Sequence, residues 1–217
     1  MAGRPPRSRL EFDYDIYWLE RRPGGVQPRF ELIAEYLDPH STLLDVGCGD
    51  GAFLAYLEQT RQMRGVGIDV SVVAVEGAKK RGVDARVSTL SQLLQSVPPL
   101  RFEHVVMSEV LEHVADPETM VRQGWELARR SLWLTFPNIA YFPHRLRLFA
   151  GRFPVQWVVF PGEHLRFWSI PDFGDWLNQF GFAAPRMWPS NGVTIFGLHR
   201  LWPNLLANQI VVRLDRE

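Results

Sequence analysis

Three glycines at alternate positions, Gly47, Gly49 and Gly51, follow directly on the short apolar run Thr42 to Val46. A buried strand that runs into such a segment must turn sharply, and backbone without Cβ atoms lets a ligand approach closely. The next apolar stretch, Arg64-Gly65-Val66-Gly67-Ile68-Asp69, ends in an acid 22 residues after Gly47. A carboxylate at about that distance can accept the hydroxyls of an adenosine ribose. Strand-to-helix turns also need glycine for purely structural reasons, so the loop points to a nucleoside cofactor only in combination with Asp69. Two cofactors fit, a nicotinamide dinucleotide and S-adenosylmethionine. In the dinucleotide fingerprint the third glycine stands one residue later. Asp45 and Asp50 would also sit badly beside a pyrophosphate, whereas both suit the sulfonium and α-amino group of S-adenosylmethionine.

Strand and helix signals alternate through the rest of the chain. Phe30 to Leu37 has the three-and-four spacing of an amphipathic helix, Val72 to Lys80 reads as a second helix, and Ala85 to Ser88 as a weak strand. Phe102 to Met107 is a strong strand, Glu118 to Arg129 a helix and Ser131 to Phe136 a further strand. A helix over Pro171 to Phe180 and closing strands near Phe182 to Trp188 and Asn208 to Leu214 complete the pattern. Such alternation predicts an α/β fold, a mostly parallel sheet with helices on both faces. The expected organisation is an N-terminal arm over 1–28 and one domain over 29–217. Residues 137–169 form an insertion or lid with one helix, near Pro143 to Ala150.

Composition narrows the function classes. A chain of 217 residues suits one domain, and 24 Lys+Arg against 24 Asp+Glu provide no bulk positive field for nucleic acid. The single cysteine, Cys48, cannot pair internally and reads as a small residue in a tight turn. No apolar run reaches the length of a membrane span, and Met1 to Arg9 is basic and Pro-rich with no apolar stretch after it, unlike a secretory signal. A cytoplasmic protein is expected.

The runs Leu43 to Gly51 and Gly65 to Asp69, with Phe102 to Val114 and Asp116-Pro117, resemble the motifs of class I S-adenosylmethionine-dependent methyltransferases. The resemblance implies the Rossmann-like fold of that class, a seven-stranded sheet with its last strand antiparallel. It also implies S-adenosylmethionine held by Asp45, Gly47, Cys48, Gly49, Gly51, Asp69, Val70, Ser108 and Glu109. The usual adenine contact after the third strand has no match at Ser88 or Thr89. Phe136-Pro137-Asn138, the Arg145 to Leu148 run, Gly151 to Pro154 and Ile170 to Leu177 resemble the MetW family, within the methyltransferase type 11 group. That family is linked to methionine biosynthesis and to a homoserine acyltransferase, which implies a role as partner or regulatory subunit.

Where the MetW pattern carries no charge, this chain has Glu109-Val110-Leu111-Glu112-His113. Were the segment helical, Glu109, Glu112 and His113 would share one face. The pattern is similar to that of ubiquinone-pathway O-methyltransferases and of small-RNA 3′-end methyltransferases. The second likeness adds His164 and implies Mg²⁺ or another divalent cation on Glu109, Glu112, His113 and His164. Without metal, His113 would be the catalytic base, with Glu112, for a hydroxyl acceptor. Either arrangement leads to O-methylation of a small molecule. The acceptor pocket is expected from Tyr141, His144, Arg145, Arg147, Arg152, Trp157 and His164, with Phe196, His199 and Trp202 from the closing loop. Most of the tryptophans, among them Trp133, Trp168, Trp176 and Trp188, fall in that half of the chain, where acceptor choice would be made.

Overall fold

The computed structural model describes residues 12–96, 100–156, 163–183 and 185–216. Trp157 and the segment Met1 to Arg9, both singled out above, lie outside the described residues. In chain order the elements are α1 (Tyr14–Glu20), α2 (Pro28–Glu35), β1 (Leu43–Val46), α3 (Ala52–Arg61), β2 (Gly65–Asp69), α4 (Val72–Lys80), β3 (Asp84–Val87), α5 (Leu90–Leu94), β4 (Phe102–Ser108), α6 (Pro117–Leu127), β5 (Ala128–Pro137), α7 (Phe142–Phe149), α8 (Ile170–Gln179), β6 (Arg186–Gly192), α9 (Leu198–Leu201), α10 (Pro203–Leu206) and β7 (Ala207–Asp215).

The strands form one seven-stranded sheet in the order β3-β2-β1-β4-β5-β7-β6. The first five pair in parallel, and β7 runs antiparallel to both its neighbours. This is the mostly parallel sheet expected from the sequence. Both faces are covered, so the central strands are apolar on both sides and their residues divide by parity, while the edge strands β3 and β6 are more exposed. Leu44, Val46, Val105, Met107, Leu132, Leu134 and Val212 pack on one face with Leu93, Val121, Phe173 and Leu177 of α5, α6 and α8. On the other face Leu43, Val106, Trp133 and Val211 pack with Phe30, Ile33, Phe53, Leu57 and Val75 of α2, α3 and α4.

Local chemistry sets the helix starts. Ser71 caps α4, its Oγ accepting from the Ala74 amide at 3.1 Å, and Asp116 does the same for α6 ahead of Pro117. Ser169 and Asp172 form a capping box on α8.

Most boundaries fall within two residues of the sequence expectation, and three departures are larger or change the element. β5 begins at Ala128 instead of Ser131, because Ala128 pairs with Phe102 and draws the end of the expected helix into the sheet. β6 lies at Arg186–Gly192, four residues later than read. Phe182 is apolar because it packs edge-on against Trp125, not because it is in a strand. The Glu109 to His113 segment is not an α-helix. Glu109 has φ +58°, and Leu111 to His113 form a single 3-10 turn.

Candidate active site

The sheet order reverses between β1 and β4, and in open α/β sheets the crevice at the carboxyl ends of such a pair is where ligands bind. A cavity of about 730 Å³ opens there. One end lies over the glycine loop, the other under α7 and the end of the insertion.

Gly47, Gly49, Cys48, Asp45, Asp69, Val70, Ser108 and Glu109 all line this cavity. Gly49 has φ +55°, and a Cβ there would collide with the indole of Trp18. The loop is tied to β2, since Asp69 accepts the Gly49 amide through Oδ2 and the Ser71 amide through Oδ1, both at 2.9 Å. Burial raises the Asp69 carboxyl above the ordinary range against the pull of those amides. Asp45 is fully buried, and burial, reinforced by Asp69 and opposed by Arg29, pushes its pKa up to about 8. Burial also raises the Cys48 thiol, which keeps it protonated. Gly51 begins α3 at φ +75°, with Ala78 and Val83 against the site of its missing Cβ.

Asp50 is not available to a cofactor cation in the way the sequence suggested. Its Oδ2 meets Arg81 Nη2 at 2.6 Å and accepts the Gly24 amide at 2.7 Å, which fastens the stretch after α1 to α4. Ser88 and Thr89, which match no adenine motif, nevertheless line the cavity. Ser108 accepts a hydrogen bond from Arg29 Nε at 2.8 Å, and Arg29 Nη1 also donates to Gln209 Oε1 at 3.3 Å.

Sequence reasoning missed Arg29 and the part played by α1. Tyr14, Tyr17, Trp18 and Arg21 form the outer wall of the cavity. Ser71 Oγ donates to Asp15 Oδ1 at 2.6 Å, and Tyr14 Oη to the His113 carbonyl at 3.4 Å, so the helix is held at both ends of the site. The only sequence signal was the density of aromatics from Phe12 to Trp18.

At the far end Glu109 turns toward β5, its amide donating to Thr135 Oγ1 at 2.8 Å and its Oε1 accepting from that hydroxyl at 3.0 Å. Glu109 therefore leaves the expected four-ligand cluster. Glu112, His113 and His164 remain, with one ligand atom each within 4.8 Å of one another. Glu112 is fully buried, and among the described residues neither carboxylate oxygen has a hydrogen-bond partner. Burial, then Glu109, raises its pKa well above the ordinary value. His113 Nδ1 lies 2.7 Å from the Glu163 carbonyl. A carbonyl only accepts, so Nδ1 carries the proton, and Nε2, 4.0 Å from Glu112 Oε1, keeps its lone pair. Burial lowers the pKa of both histidines, that of His164 to about 4. The insertion is pinned to this turn, because the Leu165 and Arg166 amides donate to the Glu112 carbonyl at 2.7 and 3.1 Å.

Of the expected acceptor residues, Tyr141, His144 and His164 line the cavity, joined by Val155, Gln156, Asn208 and Gln209. Arg145 and Arg147 instead donate to carbonyl oxygens, of Ala140 and Asn204 and of Phe153 respectively. Arg152, Phe196 and Trp202 face solvent, and His199 is buried outside the lining.

The family described as methionine biosynthesis protein MetW matches residues 27–214. The chain belongs to the MetW family. The bifunctional methionine biosynthesis protein MetXA/MetW of Rhodopirellula baltica is 25% identical over 86% of this chain and 32% of its own length. A mitochondrial ubiquinone biosynthesis O-methyltransferase of Candida albicans is 31% identical over 65% of this chain and 46% of its own. The chain thus spans less than half the length of these two relatives. Magnesium protoporphyrin IX methyltransferase from Synechocystis, solved with S-adenosylhomocysteine, superposes with a TM-score of 0.63 at 20% identity, covering 87% of this chain and 82% of that one. The fold is the Rossmann-like class I methyltransferase fold. Among the described residues no helix is long and apolar enough to cross a membrane.

Proposed function

We propose that this MetW-family chain is an S-adenosylmethionine-dependent methyltransferase that methylates a hydroxyl of a small molecule, drawing on a cytoplasmic cofactor pool. The observation that carries the reading is one continuous cavity joining the glycine loop and Asp69 to the lone pair of His113 Nε2. S-adenosylmethionine, when bound, supplies a methyl group on a sulfonium for in-line displacement. What the protein must add is alignment of the acceptor and removal of its proton. Asp69 would hold the ribose and Asp45 the α-amino group, with Gly47 and Gly49 giving close approach along the backbone; Gly51, expected from the sequence to join them, is outside the cavity lining and lets α3 pack on Ala78 and Val83 instead. His113, neutral and fixed in one tautomer, would take the acceptor proton at Nε2. The imidazolium so formed would lie 4.0 Å from Glu112 and favour that side chain's ionised form. Radiolabelled methyl transfer to a panel of hydroxylated acceptors tests the reading. His113→Ala should lower kcat by about a hundredfold or more with S-adenosylhomocysteine affinity unchanged. Undiminished turnover in that variant excludes His113 as base.

The partnerless oxygens of Glu112 also fit a divalent cation such as Mg²⁺, held by Glu112, His113 and His164. The Glu163 carbonyl on His113 Nδ1 is the kind of outer contact that orients a ligating imidazole. Such an ion would lower the pKa of an acceptor hydroxyl, with His113 then a ligand. Mg²⁺ or Mn²⁺ should raise the melting temperature of the intact protein and leave Glu112→Ala unaffected; no response in the intact protein leaves His113 as the base.

The fused MetXA/MetW relative supports a second reading, partnership with a homoserine acyltransferase. Stable co-purification with that enzyme and no methyl transfer to any small-molecule pool would decide for it.

A further inference from the structure

Two segments of the chain are free of acids, 137–162 and 176–214, although the whole chain balances 24 acids with 24 basic residues. The first carries Arg145, Arg147 and Arg152, and the second Arg200, while its Arg186 and Arg213 pair with Asp215 just beyond it. Eleven of the twenty exposed large apolar side chains among the described residues fall within these segments, at 142–155 and 195–202. The segments adjoin, because Arg145 Nη2 and Asn138 Nδ2 both donate to the Asn204 carbonyl of α10 at 3.2 Å.

On α7 the usual polarity is inverted. His144 points into the molecule, while Phe142, Leu146 and Phe149, one helical face at i, i+4 and i+7, are exposed, Phe149 to 93%. Phe196, at φ +52° in the closing loop, is 96% exposed and Trp202 59%. Among the described residues no ion pair engages Arg145, Arg147, Arg152 or Arg200. Apolar tips standing among arginines that no described carboxylate neutralises are complementary to a surface that is negative outside and apolar just beneath. Tyr141 and His144, at the root of α7, line the acceptor end of the cavity.

We infer that α7 and the α9–α10 loop form a docking face for an anionic lipid surface, seated beside the acceptor entrance. Phe149, Phe196 and Trp202 enter the interface, while the arginines meet the headgroups. A membrane-dissolved apolar acceptor would then reach the cavity without crossing water. Docking itself requires neither cofactor nor methyl transfer, so it stands or falls apart from the proposed function.

The test is flotation of the full chain with vesicles of phosphatidylcholine alone or mixed with phosphatidylglycerol. The protein should float with the mixed vesicles, stay behind with phosphatidylcholine alone and be released by high salt. An arginine near such a surface contributes about 1 kcal/mol, about fivefold in partitioning, so R152S/R200S should bind about 25-fold more weakly. F149S/F196S, which loses two inserted rings, should bind at least about tenfold more weakly. Both pairs are solvent-facing, and unchanged melting temperatures would show that the fold is kept. The inference is overturned if the native chain ignores both kinds of vesicle or if neither double variant weakens binding. It is also overturned if the chain, without binding vesicles, forms a dimer that F149S/F196S dissolves, because the face would then belong to a second copy.

Discussion

Asp69 holds two backbone amides and, in the function proposed, a ribose as well, which sets how its loss should read out. Its oxygens already hold the Gly49 and Ser71 amides at 2.9 Å, and a cofactor ribose would use the lone pairs that remain. Asp69→Ala should weaken S-adenosylhomocysteine binding at least about tenfold by calorimetry, since hydrogen bonds to a charged group contribute about 1.5–3 kcal/mol each. Unchanged affinity would remove the ribose assignment. The acid was legible in the sequence because glycine-loop spacing is a local rule that packing does not alter. Glu109 shows where residue-level reading stopped. Placing it with Glu112 and His113 assumed 3.6 residues per turn. A left-handed residue followed by a 3-10 turn breaks that count, and Thr135, 26 residues away, takes the carboxylate. Nothing between Glu109 and His113 announces that partner.

The element order of the core was readable because strands buried on both faces and helices with one apolar stripe have different periods. For α1 the sequence allows an arm or short helix but not its place, because its seven residues owe their position to long-range contacts with Ser71 and the His113 carbonyl. Its Trp18 lies over Gly49, which makes the two residues a measurable pair. Gly49→Ala should destabilise the protein twice over, through about 1–2 kcal/mol of left-handed strain and through displacement of the indole. Trp18→Ala removes the second cost. The double variant should therefore be more stable than the sum of the single losses, by about 0.5–3 kcal/mol in urea unfolding. Strict additivity would mean that α1 does not rest on the loop in solution.

For the molecule as a whole, the aromatic excess of the C-terminal half divides between the core and the exposed rings of α7 and the closing loop. Trp168, Phe173 and Trp176 pack together beneath α8, with Phe136 stacked on Phe173 at 4.1 Å, and Trp133 stacks on Trp188 on the opposite face. Composition could place these rings in the second half of the chain but not on a side of the sheet. The charges divide by depth, and this gives the protein a pH profile of its own. His104, His113, His144 and His164 have folded pKa values below 6.5. A depressed histidine costs stability as pH falls below 6.5, and above it contributes nothing further because both states are neutral. Asp45 is the reverse case: raised from 3.8 to about 8, it favours the fold at low pH, and that contribution is lost as pH rises toward and through 8. Above pH 6.5 the histidines no longer offset this loss. The melting temperature of the cofactor-free protein, measured with a chelator present, should therefore decline between pH 6.5 and 8.5. Asp45→Asn, which cannot ionise, should flatten that decline and be the more stable protein at pH 8.5. In the function proposed, Asp45 faces the α-amino group as a carboxylate, so the same variant should bind S-adenosylhomocysteine more weakly. Binding to the native chain near pH 7 should release a proton, seen as a calorimetric enthalpy that varies with the ionisation enthalpy of the buffer. A profile identical in the Asn variant would show that Asp45 ionises normally and is not the buried acid described above.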